Sequence, residues 1–393
     1  MIRKCEKILR RIKSILKDQK EPENQPRLIQ LLSKNPKGKV LYSYIHDVVL
    51  WNENDYRLHG HSNKWESREI AYIFNRLGYS VDAIDWKDEK FVPNDDYDII
   101  FDINEGLQRL ACFYPHAKKF LHMTESSPEF SINAEIERLD NLEFRTGKIC
   151  AVRRSKTIPM IFNRSLRIAD YVSLIGNINT LDTYSNDYKY KIKLIPVTAS
   201  FLARVKNQDE YLANDREFLW FFGSGAVHKG LDIVLEVFKK HTNLKLNIVG
   251  NISSEIDFFQ VYDELLLHKT SIKFHGFLDP SSDDFWHIVD KCFCFIAPSC
   301  SEGSSTAVAT CLQIGLFPII SKETGIDIPV NIVQYLDDCR IETLENAVLQ
   351  AYSMEESTLI EIIMECQKLA NKYSRENFSS QMTAFINSSL LAS

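Results

Sequence analysis

Ser299-Cys300-Ser301-Glu302-Gly303-Ser304-Ser305 sets an acid and a glycine among small hydroxyl side chains. An apolar run, Phe293 to Ala297, precedes it, and a segment of helical pattern, Thr306 to Ile314, follows. The order is strand, turn, helix start. The first N–H groups of a helix lack intrahelical partners and sit at its positive dipole end, so they suit an anion such as a phosphate. Gly303 permits close backbone approach, and Ser304 or Ser305 can cap the helix. Glu302 only accepts hydrogen bonds, which suits it to hydroxyls. A phosphate cradle beside a hydroxyl-binding acid is what a nucleotide-linked sugar requires. The same stretch also reads as an ordinary capped helix with a chance acid.

A second turn of similar chemistry is Phe222-Gly223-Ser224-Gly225-Ala226-Val227-His228-Lys229-Gly230, after the apolar run Phe218 to Phe222. Gly223 and Gly225 allow positive φ and close approach to a ligand. Lys229, at the predicted helix start, is a compact cation suited to a diphosphate. Alone this would be a tight turn with a solvated lysine. Two such turns after strands of one domain carry more weight.

The elements that must hold these turns alternate along the chain. In the first half, strand-like runs fall at Lys39–Tyr44, Gly78–Ile84, Asp98–Asp102, Lys119–Thr124, Tyr171–Ile175 and Lys191–Pro196, with helices Trp65–Leu77 and Ser165–Ala169 between them. A polar link, Thr198 to Glu217, leads to a second series of strands from Phe218 to Tyr335. Alternation of this kind predicts parallel sheets covered by helices on both faces. The expected fold is α/β, two Rossmann-like doubly wound domains facing a central cleft. The expected divisions are a basic helix and linker over 1–36, an acceptor-side domain over 37–200, a donor-binding domain over 217–370, and a last helix over 371–393 that returns to the first domain.

Composition narrows the function classes. The chain has 393 residues, 45% apolar and 25% charged, with a net charge of −6. This describes a globular protein with ample core, and nothing global points to nucleic acid. No apolar run is long enough to span a membrane, and no signal-peptide block opens the chain. The nine cysteines show no CxxC pair, which predicts free thiols in a reducing compartment and no zinc site. Residues 1–20 combine eight basic side chains with an apolar stripe at helical spacing. They predict a helix that either lies on an anionic bilayer or packs on its own domain.

The second half resembles the donor domain of retaining GT-B glycosyltransferases of the family 4 type. The resemblance rests on Gly223, Lys229-Gly230, Val249-Gly250, His275-Gly276, Ser301-Glu302-Gly303 and the helix, glycine and Ile-Ile ending over Ala309 to Ile320. Gly60-His61-Ser62, Leu77-Gly78-Tyr79 and Ala169-Asp170-Tyr171 echo the acceptor domain more loosely. The resemblance implies transfer of a sugar from a nucleotide-sugar donor, UDP- or GDP-linked, to a glycan or lipid-linked glycan. It implies no metal and no further cofactor, and a cytoplasmic enzyme, peripheral on the inner membrane face through residues 1–20. Lys229 and the N–H groups of Gly303, Ser304 and Ser305 would face the leaving diphosphate, and Glu302 would orient the sugar hydroxyls. Gly223, Ser224, Gly225 and Gly250 would line the donor site, with Gly60 and His61 opposite. His122, at a strand end, would touch the sugar or shuttle a proton.

Two positions depart from the pattern. Ser224 stands where the family has an arginine, and Thr310 where it has a second acid; Thr310 would meet a ribose hydroxyl as a neutral group. With Lys229 left as the cation of the turn, His228 and Arg204 become candidates to help neutralise phosphate charge. Two alternatives stay open at this point: a catalytically silent GT-B protein that supports a partner enzyme, and a sugar-nucleotide 2-epimerase.

Overall fold

A computed structural model describes residues 27–60, 62–103, 105–202, 204–207 and 216–391. The basic helix expected over 1–20, and His61, lie outside the described residues.

The first half forms a seven-stranded sheet: β1 (Ile29–Leu31), β2 (Lys39–Tyr44), β3 (Ser80–Asp85), β4 (Ile99–Asp102), β5 (Lys118–Met123), β6 (Tyr171–Ile175) and β7 (Ile192–Ile195). Its order is β1-β3-β2-β4-β5-β6-β7. All neighbours are parallel except β1, which pairs antiparallel with β3, Ile29 opposite Ala83. The sequence suggested only a polar linker here. Ile29 is buried, and that contact anchors the extra edge strand.

The second half forms a six-stranded parallel sheet: β8 (Glu217–Phe221), β9 (Leu246–Val249), β10 (Ile272–Gly276), β11 (Cys292–Ala297), β12 (Phe317–Ser321) and β13 (Gln334–Leu336). Its order is β10-β9-β8-β11-β12-β13. Every residue of β11 is buried, as expected where helices cover both faces of a parallel sheet. The helix Leu231–Lys240 shows why: Leu231, Val234, Leu235 and Phe238 recur on one face and are fully buried.

The chain order reverses direction between β8 and β11. Ligands of open α/β sheets bind at the carboxyl ends of strands at such a switch point. Both glycine-bearing turns begin there, one after β8 and the other after β11. The last helix, Arg375–Leu391, lies on the first domain. Phe378 meets Trp65 edge to face at 5.9 Å, and Ser379 Oγ donates to Glu69 Oε1 at 2.5 Å.

The carboxyl ends of the two sheets face each other across a cleft of about 510 Å³. Direct bonds join the two halves of the chain. Thr180 Oγ1 donates to the Gly303 carbonyl at 2.6 Å, Ser126 Oγ to that of Glu302 at 2.5 Å, and Arg138 Nη2 to that of Pro298 at 2.8 Å.

Candidate active site

The turn after β8 folds back on itself before its helix begins. Lys229 N–H donates to the Gly225 carbonyl at 2.8 Å, and Gly230 takes a left-handed φ of 72°. Only glycine adopts that conformation readily. A Cβ at position 230 would also stand 2.6 Å from the Pro298 carbonyl oxygen. The Lys229 side chain is thereby aimed across to the turn after β11, where its Nζ forms an ion pair with Glu302. Both residues line the cleft. Burial works against the charge on Lys229, and Glu302 only partly offsets it. Burial likewise opposes the charge on Glu302, yet the neighbouring ammonium holds that carboxyl below its usual range. Ser299 Oγ also donates to Glu302 Oε1, at 3.1 Å. An anion entering beside Lys229 meets a cation already desolvated, and a hydroxyl beside Glu302 meets a carboxylate kept ionised.

The helix Thr306–Ile314 starts at the same place. Ser305 is its N-cap, and Ser304, Ser305, Thr306 and Ala307 all line the cleft. The Ser305 N–H is already bonded to the Thr324 carbonyl at 2.8 Å. The donors such a helix start offers an anion are therefore those of its first turn, Thr306 and Ala307, rather than Ser305.

Of the residues singled out in the sequence, Lys229, Glu302, Gly60, Gly223, Ser224, Ser304 and Ser305 share this cleft. The others do not. Gly225 serves the turn: its φ is 89°, and its N–H donates to Glu255 at 2.7 Å instead of facing a ligand. A Cβ at Gly250 would stand 2.7 Å from the Phe222 carbonyl oxygen, so this glycine lets two strand ends pack. Gly303 plays the same part between domains, where a Cβ would lie 2.2 Å from the Thr124 carbonyl oxygen and 2.5 Å from that of Ile175.

Thr310 is fully buried within its helix. Its hydroxyl donates to the Thr306 carbonyl at 2.7 Å and accepts from Ser200 N–H at 2.9 Å, so it faces the interdomain link and no ribose. His122 is also fully buried, one residue inside the strand end. It lies between the Phe101 and Tyr44 rings, with Nδ1 2.8 Å from Ser173 Oγ, and burial pushes it down to about 3. The pleat turns position 122 onto the Tyr44 and Phe101 rings; Met123, on the other face, and Thr124 and Glu125, just beyond the strand, reach the cleft. Neither helper cation is at the site. His228 Nε2 lies 2.6 Å from the Ser301 carbonyl oxygen, and Arg204 pairs with Asp290 at 2.6 Å.

The cleft holds charged groups that sequence reasoning passed over. Glu66, on the helix Ser62–Arg76, is 2% exposed and accepts from Thr198 N and Oγ1, both at 2.9 Å. Burial raises its carboxyl to about 7. Arg154 and Lys156 enter from the loop after the helix Pro128–Thr146, and Arg154 Nη2 lies 3.0 Å from Glu125 Oε1. Nothing marked them in the sequence, because that loop carries no motif. Among the described residues, no three His, Cys, Asp or Glu side chains gather as for a metal.

Comparison with known proteins agrees with this architecture. Residues 204–358 match the family described as Glycosyl transferases group 1. Among solved structures, the chain is similar to sucrose-phosphate synthase from Thermosynechococcus elongatus, at 12% identity and a TM-score of 0.65, over 90% of this chain and 100% of that one. It is similar to HepE from Anabaena in complex with UDP and glucose, at 13% identity and a TM-score of 0.58, over 89% and 100%. A glycosyltransferase from Rickettsia africae aligns at 12% identity and a TM-score of 0.58, over 90% and 99%. At these identities the structures establish the GT-B fold. No curated protein is a significant match by sequence.

Proposed function

We propose that this GT-B glycosyltransferase, whose residues 204–358 match the group 1 glycosyl transferases, takes a sugar from a nucleotide-sugar donor and transfers it with retention and without a metal. The observation that carries the reading is the buried Lys229–Glu302 pair at the switch point, beside the start of the helix Thr306–Ile314. Lys229 and the first N–H groups of that helix face the donor diphosphate and stabilise the charge that develops as it leaves. Glu302 accepts from the sugar hydroxyls. The acceptor hydroxyl attacks from the face on which the diphosphate departs, and the departing phosphate oxygen takes its proton. The positive field for these steps comes from the protein itself, which supports the metal-free reading.

The Anabaena protein HepE holds UDP and glucose, which makes a UDP-sugar the first donor to try, with GDP-sugars next. The acceptor enters from the first domain, past Thr124, Glu125 and Glu66, groups suited to the hydroxyls of a glycan. A lipid-linked glycan and the basic residues 1–20 would place the enzyme at the inner face of the cytoplasmic membrane. Among the described residues, no helix is long and apolar enough to cross a membrane.

A thermal-shift screen with UDP-, GDP-, CMP- and ADP-sugars tests the donor, since a ligand that binds only the folded state raises its apparent stability. Slow hydrolysis of the stabilising sugar nucleotide, unchanged by a chelator, is the expected result. Stabilisation without hydrolysis or transfer to any glycan would overturn the catalytic part of the reading. Activity lost to the chelator and restored by a divalent cation would overturn the metal-free part.

A further inference from the structure

A donor diphosphate brings two negative charges into a cleft where Lys229 is already paired with Glu302. Ser224 adds no charge. Electroneutrality in a desolvated site therefore calls for another cation close to the same turn.

Arg154 occupies that place from the opposite domain. It lies directly over Gly225, where a Cβ would stand 2.5 Å from Arg154 Cγ, so the glycine beside Ser224 leaves room for this side chain. Arg154 lines the cleft with Gly223, Ser224 and Lys229. Its Nη2 reaches Glu125 Oε1 at 3.0 Å, while its Nε–H is buried with no hydrogen-bond partner. A buried, unsatisfied guanidinium donor in a polar cleft is incomplete without a ligand. The fork geometry of guanidinium matches phosphate oxygens.

The loop that carries Arg154 is fixed by one carboxylate. Glu135, 1% exposed, accepts from the backbone N–H groups of Arg153 at 2.8 Å, Arg154 at 3.1 Å and Ser155 at 2.8 Å. Three bonds to one buried carboxylate set the direction in which residue 154 leaves the backbone.

We infer that Arg154 supplies the second positive charge on the donor diphosphate, the charge Ser224 lacks, and that Glu135 is its positioning residue. This rests on the reading of the cleft as a nucleotide-sugar site. The donor then bonds to both domains at once, Lys229 on one side and Arg154 on the other.

Calorimetric titration of the full chain with UDP, GDP and the matching nucleosides tests the assignment. Arg154→Ala is expected to weaken binding of whichever diphosphate the unaltered protein takes by roughly 10- to 100-fold, as for a lost charged hydrogen bond. Nucleoside affinity should stay the same. Adding Ser224→Arg to Arg154→Ala should restore much of the diphosphate affinity. Glu135→Gln should reproduce the selective loss at lower amplitude, and Arg154→Gln carries the same expectation if the alanine variant folds poorly. Equal diphosphate affinity in Arg154→Ala and Arg154→Gln, with Lys229→Ala impaired, would overturn the role of Arg154 and leave the donor site standing. If the unaltered protein binds neither diphosphate, the reading of the cleft fails first.

Discussion

Gly303 and the carbonyl of Thr124 meet across the domain boundary so closely that a single methyl at position 303 would lie 2.2 Å from the Thr124 oxygen. Strand β5 of the first domain and the Glu302 turn of the second therefore share one wall of the cleft. Gly303→Ala should force the two apart, at a cost of about 1–3 kcal/mol as for other overpacked sites. Chemical denaturation should show that loss, and transfer should fall with it because the acceptor and donor sides separate. Wild-type stability in this variant would mean that the contact is looser than the geometry states.

Glu302 now carries a sharper expectation than its sequence position alone gave. Glu302→Gln removes the charge that holds Lys229 while keeping the size of the side chain. Turnover should drop on the order of 100-fold, the scale of a few lost hydrogen bonds to a charged group. Affinity for nucleotide diphosphate should not fall, since Lys229 is released toward the phosphates. Steady-state kinetics and a binding titration on the same variant read both. A drop in affinity without a drop in turnover would reverse the roles assigned to the pair.

Thr310 is expected to matter for stability alone. Thr310→Val leaves the Ser200 N–H, now bonded at 2.9 Å, without its acceptor. A buried unsatisfied donor costs about 1–3 kcal/mol. Urea denaturation should show that cost while KM for the donor stays unchanged. A raised KM with full stability would return Thr310 to the ribose.

His122 predicts an acid-sensitive term in folding. Its imidazole is held down to about 3 by burial, against about 6.5 in an unfolded chain. The unfolded state therefore binds the extra proton between these values, so this contribution is full above about pH 6.5 and is lost as pH falls toward 3. At pH 5 the loss is about 2 kcal/mol. Comparing urea denaturation of wild type and His122→Gln at pH 7 and pH 5 isolates it: the variant should lose less stability on acidification. An identical pH dependence would mean that His122 is reached by solvent, as a residue of the cleft would be.

The unequal legibility of the two halves has a physical cause. The fold of the second half was readable because its devices are local: a turn, a cap and a glycine lie within ten residues of each other, and hydrophobic runs such as Cys292–Ala297 mark the strands. The long helix Pro128–Thr146 was not seen. Its buried stripe is Pro128, Ser131, Glu135, Arg138 and Leu142, so the 3.6-residue repeat is mostly polar and its hydrophobic signal is weak. That helix places Glu135 and, through it, Arg154, which is why the cation opposite Lys229 escaped notice while His228 and Arg204 drew it. His122 misled for a related reason. A histidine near a strand end looks like a cleft residue until the pleat is known, and a shift of one position moves it to the other face. Thr310 required a tertiary fact, the return of the link at Ser200 beneath its helix, that no local pattern contains.

The central claim is that Lys229 receives the donor diphosphate at the switch point between β8 and β11. Calorimetric titration of Lys229→Ala beside wild type, with UDP and GDP, tests it most directly. The account predicts that the diphosphate wild type binds will be held about 1.5–3 kcal/mol more weakly by the variant, as for a lost hydrogen bond to a charged group, with nucleoside affinity unchanged. Equal diphosphate affinity in the two proteins would contradict it.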